Sequence, residues 1–178
     1  SPYISKSLLR QGLVFYNAGK NEDALSKFKN VANNYPGSPE GMQAVSTARL
    51  IYVDLGRVDE YARWVKQLDY VDVTDADLDN TTYESAEKQY LAGDTSRAIR
   101  LFNGYLNEFP NGLHALKSHF YLAQLYYKDD LQSNAAPHYE YVVNKPSGEF
   151  TELALTRLGE IYLNEKDVAI FSANGHRL

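Results

Sequence analysis

A repeat of 37 residues constrains this chain more than any other feature. Gly19, Gly56 and Gly93 stand one step apart. The same step links Phe28, Val65, Phe102 and Tyr139, and it links Ala24, Tyr61, Ala98 and Ala135. Phe15, Tyr52, Gln89 and Tyr126 form a further column, as do Gly12, Arg49, Ala86 and Ala123. Pro36 and Pro110 lie two steps apart, and Pro146 falls one residue short of the fourth place. Several columns holding one register are hard to reach by chance. A unit of this length cannot bury its apolar face alone, so neighbours must stack.

Each unit reads as two helices. Leu8, Leu9, Leu13, Phe15 and Tyr16 recur at helical spacing. Gly19 ends that helix as a left-handed terminator. Asn21 is placed to cap the next, with Glu22 and Asp23 suited to the positive end of its dipole. Ala24, Leu25, Phe28 and Val31 make its apolar face, and Pro36-Gly37 stops it. Ser38-Pro39-Glu40 reads as N-cap, N1 proline and first-turn acid. Leu55-Gly56, Ala92-Gly93-Asp94 and Lys128-Asp129-Asp130 are the later turns. Pro137 fits a first turn if Ser133 or Asn134 caps it. Small residues at 24, 98 and 135 let paired helices approach, and bulky ones at 28, 102 and 139 fill the space beside them.

This pattern resembles the tetratricopeptide repeat, whose signature runs W-x2-L-G-x2-Y, then A-x3-F, then P. Gly12, Phe15, Ala24, Phe28 and Pro36 carry it in the first repeat; Ala86, Ala98, Phe102 and Pro110 in the third; Leu122, Ala123, Tyr126, Ala135 and Tyr139 in the fourth. Leu158-Gly159 and Tyr162 open a fifth. The second is degenerate, with Arg49, Tyr61 and Val65 in the Gly, Ala and Phe places, and no repeat has the Trp. The resemblance covers about residues 3–164. It implies an all-α fold, a right-handed α-solenoid of helical hairpins. The whole chain, 1–178, then reads as one domain with repeats near 3–37, 38–74, 75–111 and 112–147 and a partial fifth over 148–178. The junctions Asn34-Tyr35-Pro36-Gly37-Ser38-Pro39 and Glu108-Phe109-Pro110-Asn111-Gly112 resemble those of bacterial envelope members of the family, of the Tol–Pal-associated periplasmic and outer-membrane assembly lipoprotein types. That similarity implies a scaffold in a membrane-associated assembly, in the periplasm or cell envelope; a cytoplasmic location is the alternative.

In the family, the first helices of successive hairpins line a concave groove that grips peptides or partner proteins. Carried onto this sequence, the resemblance points to Tyr16, Tyr83, Glu87, Tyr90, Phe120, Gln124 and Tyr127. Other groove positions are Lys6, Leu9 and Leu13 in the first repeat, Gln43, Ser46, Leu50 and Val53 in the second, Asn80 in the third and Lys117 in the fourth. The fifth supplies Leu153, Thr156, Glu160 and Leu163. Tyr suits an interface through its area and polar tip. The plainer reading is that these rings fill the inner curve of a solenoid. Leu9 and Leu13 stand where chaperone-tail clamps place polar residues, which argues against that specificity.

Composition narrows the chemistry. With no Cys among 178 residues, disulfides, thiolate nucleophiles and Cys-based metal sites are excluded. A net charge of −5 argues against nucleic acid as partner. No apolar run approaches the roughly 20 residues that span a bilayer. The chain opens Ser1-Pro2 without Met and reads as a processed form or a piece of something longer. Residues 69–96 hold eight acids against Lys88 alone, a belt able to steer a basic partner. Within it, Asp75-Ala76-Asp77-Leu78-Asp79-Asn80 resembles the opening of a calcium loop, but Asn80 replaces the turn Gly and Ala86 the bidentate Glu. Asp79 reads instead as a helix cap.

His114 and His119 point about 140° apart on a helix and cannot share a metal. His119 falls on the signature Trp column and should pack between helices. His138 and His176 complete the set. Gly-x-Ser-x-Gly, His-Glu-x-x-His and phosphate-loop patterns are missing. The expectation is therefore a non-catalytic interaction scaffold with no cofactor and no metal. A self-associating segment of a longer array and an envelope glycan-binding helical module are the alternatives. Trp64, on a second helix, is poorly placed for the last. At the C-terminus, a helix over about 150–164 followed by a short partner over 167–173 is expected, with Ile170 and Phe171 needing a cover and self-association through this hairpin.

Overall fold

The computed structural model of the chain describes residues 1–173. Among them the regular structure is all helix: α1 (Pro2–Asn17), α2 (Asn21–Asn34), α3 (Pro39–Leu55), α4 (Val58–Val65), α5 (Asp75–Leu91), α6 (Thr95–Glu108), α7 (Ala115–Lys128), α8 (Gln132–Val143) and α9 (Thr151–Ala173). Helix α1 pairs with α2, α3 with α4 and α7 with α8, in the order the repeat predicts. Contacts divide the chain into two compact units, residues 1–101 and the part from Phe102 onward. No helix among the described residues is long and apolar enough to cross a membrane.

The hairpin turns share one device. Gly19, Gly56 and Gly93 adopt φ of 73°, 69° and 78°. Asp130, one further step along, adopts φ of 61°. A Cβ is disfavoured in this left-handed region, though Asp tolerates it better than most residues. The repeat therefore fixes the backbone conformation even where the Gly is lost. Asp130→Gly is expected to raise stability by about 0.5–1 kcal/mol. A higher urea midpoint checks this; an unchanged midpoint would mean that the turn carries no strain.

The first unit is built on a close approach of α1 and α2. A Cβ on Gly12 would lie 2.6 Å from Cε1 of Phe28. Phe28 is fully buried, so Gly12 is the notch into which its ring fits. In the second hairpin Val65 replaces the ring, and Arg49 can occupy the Gly place. Its guanidinium reaches α5 instead, donating to Glu84 Oε2 at 2.6 Å and Thr81 Oγ1 at 3.1 Å. Two more α5 side chains meet the last turn of α3, where carbonyls lack helical partners. Ser85 Oγ donates to the Val53 carbonyl at 2.8 Å, and Gln89 Nε2 to the Asp54 carbonyl at 3.0 Å. Gln89 departs from the aromatic column because it performs this capping. Trp64 Nε1 donates to Asn33 Oδ1, and the Tyr70 hydroxyl to the Ala32 carbonyl. These bonds tie α4 and the segment after it to α2.

The second unit packs α7, α8 and α9 around Tyr139, which is fully buried with Ala123, Ala135, Ala154 and Ile161 close by. Its hydroxyl donates to Gln124 Oε1 at 2.8 Å. Phe120 stacks on Phe150 with ring centres 4.2 Å apart.

Four local expectations need correction. Asn21 does not cap α2; Lys20 holds that place without a side-chain bond, and Asn21 is the first helical residue. Asp79 does not cap α5. Thr74 does, in a reciprocal capping box with Asp77, and Asp79 lies buried in the second turn. The Thr-x-x-Asp spacing satisfies two backbone donors and outcompetes a cap farther along. Pro137 lies inside α8, past its first turn. The carbonyl it orphans belongs to exposed Ser133, where water can serve. Finally, residues 150–164 and 167–173 are not two helices. The helix α9 runs unbroken from Thr151 to Ala173, because no Gly or Pro interrupts Asn164-Glu165-Lys166-Asp167. The side chains of Ile170 and Phe171, and His176, lie outside the described residues.

Candidate functional site

The first unit opens a cleft of about 580 Å³ between α3, α5 and the segment before α5. The α3 side supplies Met42, Ser46, Arg49 and Leu50; the other side supplies Val71, Asp72, Asp77, Asn80 and Thr81. Met42 and Leu50 remain 45% and 42% exposed, although both sit on a helix packed into the unit. The α3 side of the cleft therefore offers exposed apolar surface. The other side is acidic, with Asp72 and Asp77 both exposed. The Thr74 backbone N–H and hydroxyl hold the Asp77 carboxyl below the usual carboxylate range, so it is ionised at neutral pH. Arg49, paired with Glu84, lines the same cleft.

Three predicted groove residues, Ser46, Leu50 and Asn80, line this cleft. Met42 and Arg49 escaped prediction as cleft residues, whereas Asp72 belongs to the acidic belt over residues 69–96. Arg49 was the available signal, since a charged residue in the Gly column must send its side chain out of the hairpin.

The aromatic residues singled out from sequence divide between the units. In the first, Tyr16 is half-buried on α1. Tyr83 is 6% exposed, and its hydroxyl donates to Glu87 Oε2 at 2.5 Å. Tyr90 is half-buried about two turns beyond. In the second, Phe120 is 6% exposed. Tyr127 is half-buried, donates to Glu160 and lies under the Arg157 guanidinium at 4.2 Å. Gln124 accepts from Tyr139. Buried rings offer a partner little new area, whatever their column. Trp64 is buried beside Tyr52, with ring centres 6.5 Å apart, and presents no platform to a sugar.

His119 packs between helices, as its column implies. Its ring stacks on Tyr141 at 3.8 Å, and its Nδ1 lies 2.8 Å from Nδ1 of His138. No group of three or more His, Asp or Glu able to hold a metal occurs among the described residues.

These features frame the comparison with known proteins. Residues 6–38 match the tetratricopeptide repeat family. The match covers most of α1, all of α2 and the turn after it, the hairpin with the Gly12–Phe28 notch. Among solved structures, the chain is similar to two crystal structures of nearly identical TPR-like repeats of a Podosopora anserina protein described as a kinesin light chain. One, a point variant of those repeats, is 14% identical over 91% of this chain and 86% of that one, with a TM-score of 0.41. The other is 14% identical over 94% and 89%, again with a TM-score of 0.41. No curated protein matches the chain. Tetratricopeptide repeats generally mediate protein–protein interaction.

Proposed function

We propose that the chain is a non-catalytic adaptor that holds a segment of a partner protein in the α3–α5 cleft of its first unit. The observation that carries this reading is the exposed apolar pair Met42 and Leu50 lining one cleft with the exposed acids Asp72 and Asp77. Exposed apolar surface supplies affinity, and charge beside it supplies register and steering. The segment that fits carries one or two apolar anchors flanked by Lys or Arg. The acidic belt over residues 69–96 supports the same choice. The junction segments at 34–39 and 108–112, similar to those of bacterial envelope proteins, support a place in a periplasmic or envelope assembly.

The test is a displayed library of short segments drawn from bacterial envelope proteins, with affinities then measured by calorimetry. Met42→Glu and Leu50→Glu are each expected to weaken the best binder about 10-fold or more. Both positions are exposed enough that folding should change by no more than about 0.5 kcal/mol. Tyr127→Ala, in the second unit, should leave affinity within about 3-fold. Loss of binding by Tyr127→Ala with none by the two cleft variants would move the site away from the first unit.

A further inference from the structure

The outer face of α9 carries a symmetry in its exposed side chains. Its inner face is occupied, with Ala154, Leu158 and Ile161 buried in the core of the second unit. On the other side lie Glu152, Leu155, Gly159, Leu163 and Lys166, spaced 3, 4, 4 and 3 residues apart. At 3.6 residues per turn these five fall within an arc of about 80°. Leu155 and Leu163 are 55% and 62% exposed, and Glu152 and Lys166 are exposed at either end. A Cβ on Gly159 would meet no atom of another element within 4 Å. Gly12, the matching position of the first repeat, is closed by Phe28. The notch at Gly159 is the same kind of feature left open.

The stripe is a palindrome in chemistry about Gly159. If a second α9 crosses antiparallel with the two Gly159 residues in contact, Leu155 of each copy meets Leu163 of the other. Glu152 of each copy then meets Lys166 of the other. A two-fold interface needs this property, since one patch must complement itself. A parallel crossing would set Glu152 beside Glu152 and Lys166 beside Lys166. Gly at the crossing point lets the backbones approach, and the two leucine pairs flank it. From end to end the stripe spans about 21 Å of helix.

We infer that the outer face of α9 is a homodimer interface, in which two copies of the chain pack antiparallel about Gly159 with Leu155–Leu163 and Glu152–Lys166 contacts across the two-fold axis. This surface is separate from the α3–α5 cleft and stands or falls independently of it. One helix face buries less than the roughly 1,200 Å² of the smallest stable complexes, so the dissociation constant should be on the order of 10–100 µM.

Sedimentation of the full chain between about 5 and 300 µM reads the association. Glu152→Lys and Lys166→Glu should each weaken the dimer about 5-fold, because each change is felt twice and creates like-charge pairs. The two changes together swap the ends of the stripe and should restore affinity to within about 2-fold. Register is read by cysteine pairing in a chain that has no native Cys. Under mild oxidation, a mixture of Leu155→Cys and Leu163→Cys chains should give a covalent dimer. Either variant alone should not, since identical positions would sit about 12 Å apart, beyond disulfide reach. Circular dichroism confirms that each variant is folded. A monomer at every concentration overturns the inference. So does a dimer that the charge swap fails to restore, or one that Leu155→Cys cross-links by itself.

Discussion

Phe28→Ala is expected to lower the stability of the first unit by about 3–5 kcal/mol, and to reverse the sign of a second substitution, Gly12→Ala. In the native chain a Cβ at position 12 would press on a fully buried ring at 2.6 Å. The ring has no space to yield into, so overpacking of this kind costs about 1–3 kcal/mol. Remove the ring and the notch becomes part of a cavity. Gly12→Ala then fills space and gains the helix propensity that Ala holds over Gly, about 1 kcal/mol in a helix interior. The double variant should therefore be more stable than Phe28→Ala alone. Trp64, the one tryptophan, lies in the first unit and reports its unfolding in urea. Simple additivity of the two costs would show that position 12 is kept as Gly for some reason other than the ring.

That coupling explains why so much of the fold was legible. The columns at 12 and at 28 were each readable as repeat positions, and the structure shows that they are two sides of one contact. Helix ends were readable where the backbone forces a choice, as at Gly19 and at Ser38, whose side chain accepts from the Gly41 N–H at 3.0 Å. They were misread where two caps competed locally. Thr74 with Asp77 defeats Asp79 because a reciprocal box satisfies two donors and a single cap satisfies one. The continuity of α9 was missed for a different reason. Repeat logic demanded a turn, but the residues at 164–167 contain nothing that breaks a helix. The candidate site was half legible. Columns locate first-helix positions such as Leu50 and Asn80, yet they cannot say which rings the interior consumes. Tyr83 and Phe120 fell on groove positions and are nonetheless buried. The cleft opens where the repeat is most degenerate, at the hairpin in which Arg49 and Val65 replace Gly and Phe. Departures from the pattern, more than the pattern, mark where this chain can do something of its own.

One such departure predicts a pH response. His119 occupies the signature Trp column and meets His138, with their Nδ1 atoms 2.8 Å apart. A bond between two such nitrogens needs one donor and one acceptor, so the pair is held together only while at least one ring is neutral. Burial pushes both rings down, and for His119 the neighbouring His138 and Lys145 add to it, taking that group to about 4. In the unfolded chain each ring titrates near its ordinary 6.5. The unfolded state thus takes up protons that the folded state refuses. The stabilisation is complete above about pH 6.5 and is lost progressively as pH falls toward about 4. Both rings keep part of their surface in water, which screens the effect, and the loss for the pair should be on the order of 2 kcal/mol. Carboxylates titrate over part of the same range, so the comparison must be internal. Between pH 7 and about pH 4.5, the urea midpoint of the native chain should fall further than that of the His119→Phe, His138→Leu double variant. Equal falls would mean that the two imidazoles do not govern the response. His138→Gln alone should recover about half of the difference, since its amide supplies a partner for His119 that never gains a proton.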